Sequence, residues 1–239
     1  MNQKYMSIGN LKLLPILFHT RQRIDFRHMA EIEETKTSEV DLLSVSVKNL
    51  TCYRNDFPVF SDVSFQLHAG EQLFIMGSNG SGKTTLLKTL MGLSSKFEGD
   101  IHIPPHETAY LGHLNGLKPE LTVGDNHRFW LKLENLPISH NLLKYFEVDD
   151  LAETPVRLLS EGQKRKVALA GALETGKRIW VLDEPFNGLD QKGQDLLAEL
   201  IQRHCEKMGI VVLTSHLESI SSPTQYLALD EYRSLKTAN

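Results

Sequence analysis

An α/β fold with a parallel core sheet, an antiparallel β layer and a helical subdomain is predicted by three features of this sequence. Apolar runs at Gln72–Met76, Ile179–Leu182 and residues 210–213 have the length and composition of strands buried on both faces. Helical periodicities over residues 84–93, 160–173 and 192–207 follow or separate those runs, the order that places helices on both faces of a parallel sheet. Upstream, Val45 and Val47 alternate with polar residues, as do Val59, Val63, Phe65 and Leu67, with Asn55 and Asp56 as turn formers between them. That stretch reads as antiparallel. In the middle of the chain Thr108–Leu111 forms a further short strand. Val123–Leu133 and residues 142–146 read as amphipathic helices separated by Pro137 and Ser139.

With 41% hydrophobic and 23% charged residues among 239, the chain has the balance of an ordinary globular protein. No Gly/Ser/Pro linker or repeat divides it after residue 42, so residues 42–239 read as one domain and 1–41 as a poorly ordered leader, acidic over 31–39. Lys and Arg total 26 against 30 for Asp and Glu, a net charge of −4, which argues against nucleic acid as a partner. The basic cluster Lys164, Arg165 and Lys166 reads as a solvated helix face. Cys52 and Cys205 lie far apart without metal-ligand spacing, so neither a disulfide framework nor a zinc site is expected. The apolar run 11–18 is broken by Lys12 and Pro15 and falls well short of the roughly 20 residues a membrane span needs.

The strongest chemical signal is GSNGSGKT at residues 77–84, set between an apolar strand and a helix. Glycines 77, 80 and 82 let the backbone curl so that N–H groups from Gly77, Ser78, Asn79, Gly80, Ser81 and Gly82 onward converge on a polyphosphate. The following helix adds its positive end beside Lys83, Thr84 and Thr85. Lys83 would reach the β- and γ-phosphates of ATP, and the Thr84 hydroxyl would ligate Mg²⁺. An exposed lysine in a glycine-rich turn is the bland alternative.

A second motif weakens that alternative. The buried run Ile179–Leu182 delivers Asp183 and Glu184 at its C-terminal tip, where ligands sit in open α/β sheets. Adjacent strand residues point to opposite faces, so different roles are expected: Asp183 for Mg²⁺, Glu184 to deprotonate an attacking water. Together these motifs imply a P-loop nucleotide hydrolase.

The third motif is Leu159-Ser160-Glu161-Gly162-Gln163 at the start of a helix. It resembles the LSGGQ signature of the ABC ATPases, although Ser160 and Gln163 also suit a capping box. The resemblance covers residues 42 to about 229 and implies further assignments. Tyr53 matches the adenine-stacking aromatic, though it also suits a half-buried strand position. Asn187-Gly188-Leu189-Asp190 matches the D-loop, and His216 the histidine that contacts the γ-phosphate. In this family ATP lies between the P-loop of one cassette and the signature of another. The resemblance therefore implies a homodimer, or pairing with a related subunit, with Ser160, Gly162 and Gln163 facing the partner's nucleotide.

Two departures stand out. Glu161 replaces a glycine of the signature, and His113, in Tyr110-Leu111-Gly112-His113, occupies the usual glutamine position of the Q-loop. This YLGH stretch, followed by Gly116-Leu117-Lys118, resembles the haem-exporter ATPases of cytochrome c maturation, the CcmA type. That implies an integral membrane permease of the CcmB type as partner, at the cytoplasmic face of the cell inner membrane, with His113 relaying between it and the site. His102, His106, His127 and His204 form no haem-ligand set and read as surface residues.

Overall fold

The computed structural model describes residues 43–94, 96–215 and 223–233. Strands β1 (Ser44–Arg54) and β2 (Phe57–His68) form a hairpin closed by Asn55 and Asp56 at φ 50° and 64°. Asn and Asp tolerate this left-handed geometry, which matches the twist of a tight hairpin. Next come β3 (Gln72–Met76), α1 (Lys83–Leu90), β4 (Phe97–His102) and β5 (Thr108–Leu111). Strand β4 pairs with the free edge of β1, giving an antiparallel sheet of order β2-β1-β4.

Helices α2 (Val123–Leu133), α3 (Asn141–Tyr145) and α4 (Glu161–Leu173) follow, then β6 (Ile179–Leu182), α5 (Gln191–Glu206), β7 (Ile210–Thr214) and β8 (Gln225–Ala228). The second sheet has the order β5-β6-β7-β3-β8, every pair parallel. Both of its faces are covered, and alternation sorts the side chains. Leu73, Ile75, Ile179, Val181, Ile210 and Val212 pack toward α1 and the antiparallel sheet. Phe74, Trp180, Leu182, Val211 and Leu213 pack toward α4, α5 and the smaller helices. Full burial of each such side chain stabilises the fold by about 1.5–3 kcal/mol.

Several expectations are corrected. Helix α1 stops at Leu90, and Leu93 is exposed. Strand β4 escaped the sequence reading because FEGDIH is almost wholly exposed; pairing with β1, and not a buried face, makes it a strand. Strand β8, at the sheet edge, has only Leu227 buried. The basic cluster is not one solvated face, for Arg165 is buried between Lys164 and Lys166, both half-buried and ion-paired.

Two histidines are not surface residues. His127 is fully buried, its Nε2 2.9 Å from Glu174 and 3.1 Å from the Ser139 carbonyl. Glu174 also accepts from the backbone of Asn141 and Leu142, so this pair joins α2, the start of α3 and the end of α4. His204 is half-buried, stacked on Trp180 with ring centroids 3.7 Å apart.

Candidate active site

The P-loop leaves β3 after Met76 and enters α1 at Lys83, with Gly82 as N-cap at φ 108°. A side chain at Gly82 would meet both that strain and Val59, whose Cγ1 lies 2.7 Å from where a Cβ would be. Glycine here lets β2 press on the loop. Lys83 is buried, and its Nζ donates to the carbonyls of Gly77 (2.7 Å) and Ser78 (3.3 Å). An ammonium has three protons, so one donor remains for a phosphate oxygen. Ser81 is fully buried with no partner for its Oγ among the described residues, an orphan donor inside the loop that suits a phosphate ligand.

Asp183 emerges from β6 almost fully buried. Its Oδ2 accepts from Thr84 Oγ1 at 2.8 Å and its Oδ1 from Thr214 Oγ1 at 2.8 Å. A hydroxyl and a carboxylate oxygen meeting beside the phosphate loop fit Mg²⁺, which keeps most of its shell for water and phosphate. The described residues contain no cluster of three or more His, Cys, Asp or Glu that would hold a metal without such help.

Glu184 corrects the opposite-face argument. The strand ends at Leu182, and Glu184 has the left-handed φ of 47°, uncommon for a residue with a side chain. Its backbone N–H donates to Thr214 Oγ1 at 2.8 Å. The side chain thereby turns back into the cleft of Lys83, Thr84 and Thr85, so both carboxylates serve the same side of the sheet. Asn187 Nδ2 donates to Glu184 Oε2, and His113 Nδ1 lies 4.0 Å from the same oxygen.

The cleft holds about 220 Å³ and is lined by Asn79, Gly80, Gly82, Lys83, Thr84, Thr85 and Glu184, together with Arg54 and Val59 from the β1–β2 hairpin. Tyr53, expected beside it, is not among the lining residues. Its hydroxyl hydrogen-bonds with Glu98 on β4, the chief cause of a pKa pushed above the ordinary tyrosine value. His216 lies outside the described residues.

Ser160, Gly162 and Gln163 line a second cleft with Glu147, Lys166, Gly188 and Asp190. The capping box is present: Gln163 N–H donates to Ser160 Oγ at 3.2 Å, and Ser160 N–H to Gln163 Oε1 at 2.9 Å. A Cβ on Gly162 would lie 2.8 Å from the Gly188 carbonyl, so only glycine lets the signature approach the turn after β6 this closely. Lys166 pairs with Asp190 at 3.0 Å across the same contact. Glu161 points into solvent and pairs with Lys164 at 2.7 Å.

Three residues escaped the sequence reading. Arg165 donates to the carbonyls of Pro185 (3.2 Å), Asp183 (2.9 Å), Glu184 (3.0 Å) and Gly112 (3.2 Å), and to Asn115 Oδ1 (3.1 Å). One buried guanidinium thus ties α4 to the turn carrying both carboxylates and to the loop carrying His113. Burial lowers its pKa to about 10 against the pull of Asp183 and Glu184, so it stays charged at neutral pH. Thr214 bridges Asp183 and the Glu184 backbone; its position at a strand tip was the available signal. Asp230 accepts from Ser78 N–H and Oγ, each at 2.7 Å, and those two bonds hold its carboxyl below the usual range.

A phosphate loop on β3, two carboxylates after β6 and a capped signature on α4 define an ATPase of the ABC class. The chain belongs to the ABC transporter family, whose match spans residues 60–187, and with that family it shares ATP binding and hydrolysis. Among curated proteins it is similar to those named Cytochrome c biogenesis ATP-binding export protein CcmA. The one from Paracoccus denitrificans is 38% identical over 189 residues, covering 79% of this chain and 90% of that protein. The one from Roseobacter denitrificans is 37% identical over 196 residues, covering 82% and 95%. A solved structure described as a putative ABC transporter ATP-binding protein from Pyrococcus furiosus superposes with a TM-score of 0.71 at 25% identity, covering 80% of this chain and all of that one.

Proposed function

We propose that this chain is the ATP-hydrolysing subunit of an export complex serving cytochrome c biogenesis, with haem export as the step it powers. One observation supports the chemistry most: Lys83, Thr84 and Glu184 share one cleft, with Asp183 2.8 Å from Thr84, although they come from segments about a hundred residues apart. The pathway rests on relatives at 37–38% identity over about four-fifths of the chain.

Lys83 and the P-loop amides hold the triphosphate, while Thr84 and Asp183 hold Mg²⁺. Bound Mg²⁺ neutralises charge on the phosphate oxygens. Glu184 takes a proton from a water aimed at the γ-phosphorus, Asn187 and the Thr214 bond fixing where its carboxylate points. The water oxygen bonds to the γ-phosphorus as the bond from that phosphorus to the bridging oxygen breaks, leaving ADP and phosphate, and Glu184 passes its proton to the released phosphate. In one copy the signature cleft shares no lining residue with the phosphate cleft, which is consistent with the family arrangement in which a second copy would close each site with its Ser160, Gly162 and Gln163.

The membrane partner is a permease of the CcmB type, which would hold this subunit at the inner face of the membrane. No helix among the described residues is long and apolar enough to cross a bilayer. The permease would meet the apolar groove of Tyr110, Leu111, His113, Leu114 and Trp130, where Leu114 is 82% exposed and His113 sits 4.0 Å from Glu184. Tagged Glu184→Gln protein, captured with ATP from detergent-solubilised membranes, should bring down a CcmB-like integral protein. Capture of an unrelated permease would overturn the pathway while leaving the ATPase chemistry in place.

A further inference from the structure

We infer that Arg54, and not Tyr53, is the platform on which the base of the nucleotide lies. This rests on the reading of the P-loop cleft as a nucleoside triphosphate site. Lys83, Thr84 and Glu184 mark its phosphate end. The lining residues that belong to neither the P-loop, α1 nor the carboxylate turn are Arg54, the last residue of β1, and Val59 of β2. A base attached to phosphates in that loop therefore meets those two side chains.

The hairpin geometry supports the choice. Val59 is fixed against the loop by its approach to Gly82. Cys52 on β1 is buried toward α1, its Sγ 3.4 Å from Thr89 Oγ1; the pairing of β1 with β2 shifts register between Cys52 and Tyr53, and beyond that irregularity Arg54 lines the cleft. Tyr53 does not line the cleft, and Glu98 engages its hydroxyl. The Arg54 guanidinium is exposed and makes no hydrogen bond or ion pair with another described residue, so it is available to a ligand.

A guanidinium suits this task. It is planar, permanently charged and weakly hydrated, so it stacks on a π-face that a flat purine always presents. Val59 offers the apolar contact beside it. The ligand class is a purine nucleoside triphosphate held by stacking.

The test compares affinities for MgATP and for inorganic tripolyphosphate with Mg²⁺, by calorimetry on the full chain. Arg54→Ala should weaken MgATP by about 3- to 30-fold, the range of a cation–π contact, and leave tripolyphosphate unchanged. Arg54→Lys should recover only part of the loss, because an ammonium lacks the planar face. Tyr53→Leu should shift MgATP less than about twofold, below the loss of one such contact. An equal loss for tripolyphosphate would make Arg54 a phosphate clamp and overturn the proposal, as would a large loss in Tyr53→Leu with none in Arg54→Ala. If the unaltered chain bound neither ligand, the nucleotide site itself would fall.

Discussion

The phosphate cleft and the signature cleft are assembled in opposite ways. In the first, each functional group is held by a distant segment: Thr84 by Asp183, the Glu184 backbone by Thr214, Ser78 by Asp230. In the second, Ser160 and Gln163 satisfy one another across a single helical turn, and the nearest outside contacts come from the short turn holding Gly188 and Asp190. The phosphate side is preorganised for chemistry before any partner arrives. The signature side is a presented surface whose groups would, in the proposed pairing, complete a site on another copy. Arg165 joins the two, since it starts on the signature helix and ends on the carbonyls of Asp183, Glu184 and Pro185.

The comparison can be broken most severely at the phosphate side. Lys83→Ala removes the cation that offsets triphosphate charge, and turnover should be lost; ATPase activity at the original rate would refute the preorganised cleft. Glu184→Gln keeps the cleft's shape and its bond to Thr214 but removes the proton acceptor. Hydrolysis should slow by about 10² to 10⁴ while ATP still binds, and the protein should run as an ATP-dependent dimer on a sizing column.

Arg165→Gln tests the link between the clefts. Several buried acceptors lose their donor, which should cost about 2–4 kcal/mol of stability by urea denaturation. Arg165→Lys should recover part of the stability yet leave turnover depressed, because one ammonium cannot reach both the carboxylate turn and Asn115. Full activity in Arg165→Lys would show that the guanidinium does not position Glu184.

The smallest effect concerns the other end of α4. Burial pushes the His127 imidazole below its ordinary pKa, against the attraction of Glu174, and His140 is stacked on it at 5.8 Å. A depressed histidine contributes stability that is complete above about pH 6.5 and is lost as pH falls through the lowered value. The urea midpoint should therefore drop between pH 7.5 and pH 5.5, and His127→Gln should show a smaller drop. An identical drop in that variant would place the acid sensitivity elsewhere.

Much of this arrangement was legible in residue order alone, wherever the signal is local. The glycine spacing of the P-loop, the apolar run ending in Asp183 and Glu184, and the capping pattern at Ser160 each involve fewer than ten neighbouring residues, whose backbone preferences act without help from the rest of the chain. Tertiary structure decided what depends on pairing between remote segments. It buried Arg165 in a cluster that reads as solvated, and turned Glu184 back beside Asp183 through a left-handed residue held by Thr214. It also recruited β4 through the edge of β1 and placed Arg54, and not Tyr53, among the residues lining the phosphate cleft. The physical reason is the same in each case. A side chain's environment, and so its charge and direction, is set by the groups packed against it, and in these cases those groups lie tens of residues away.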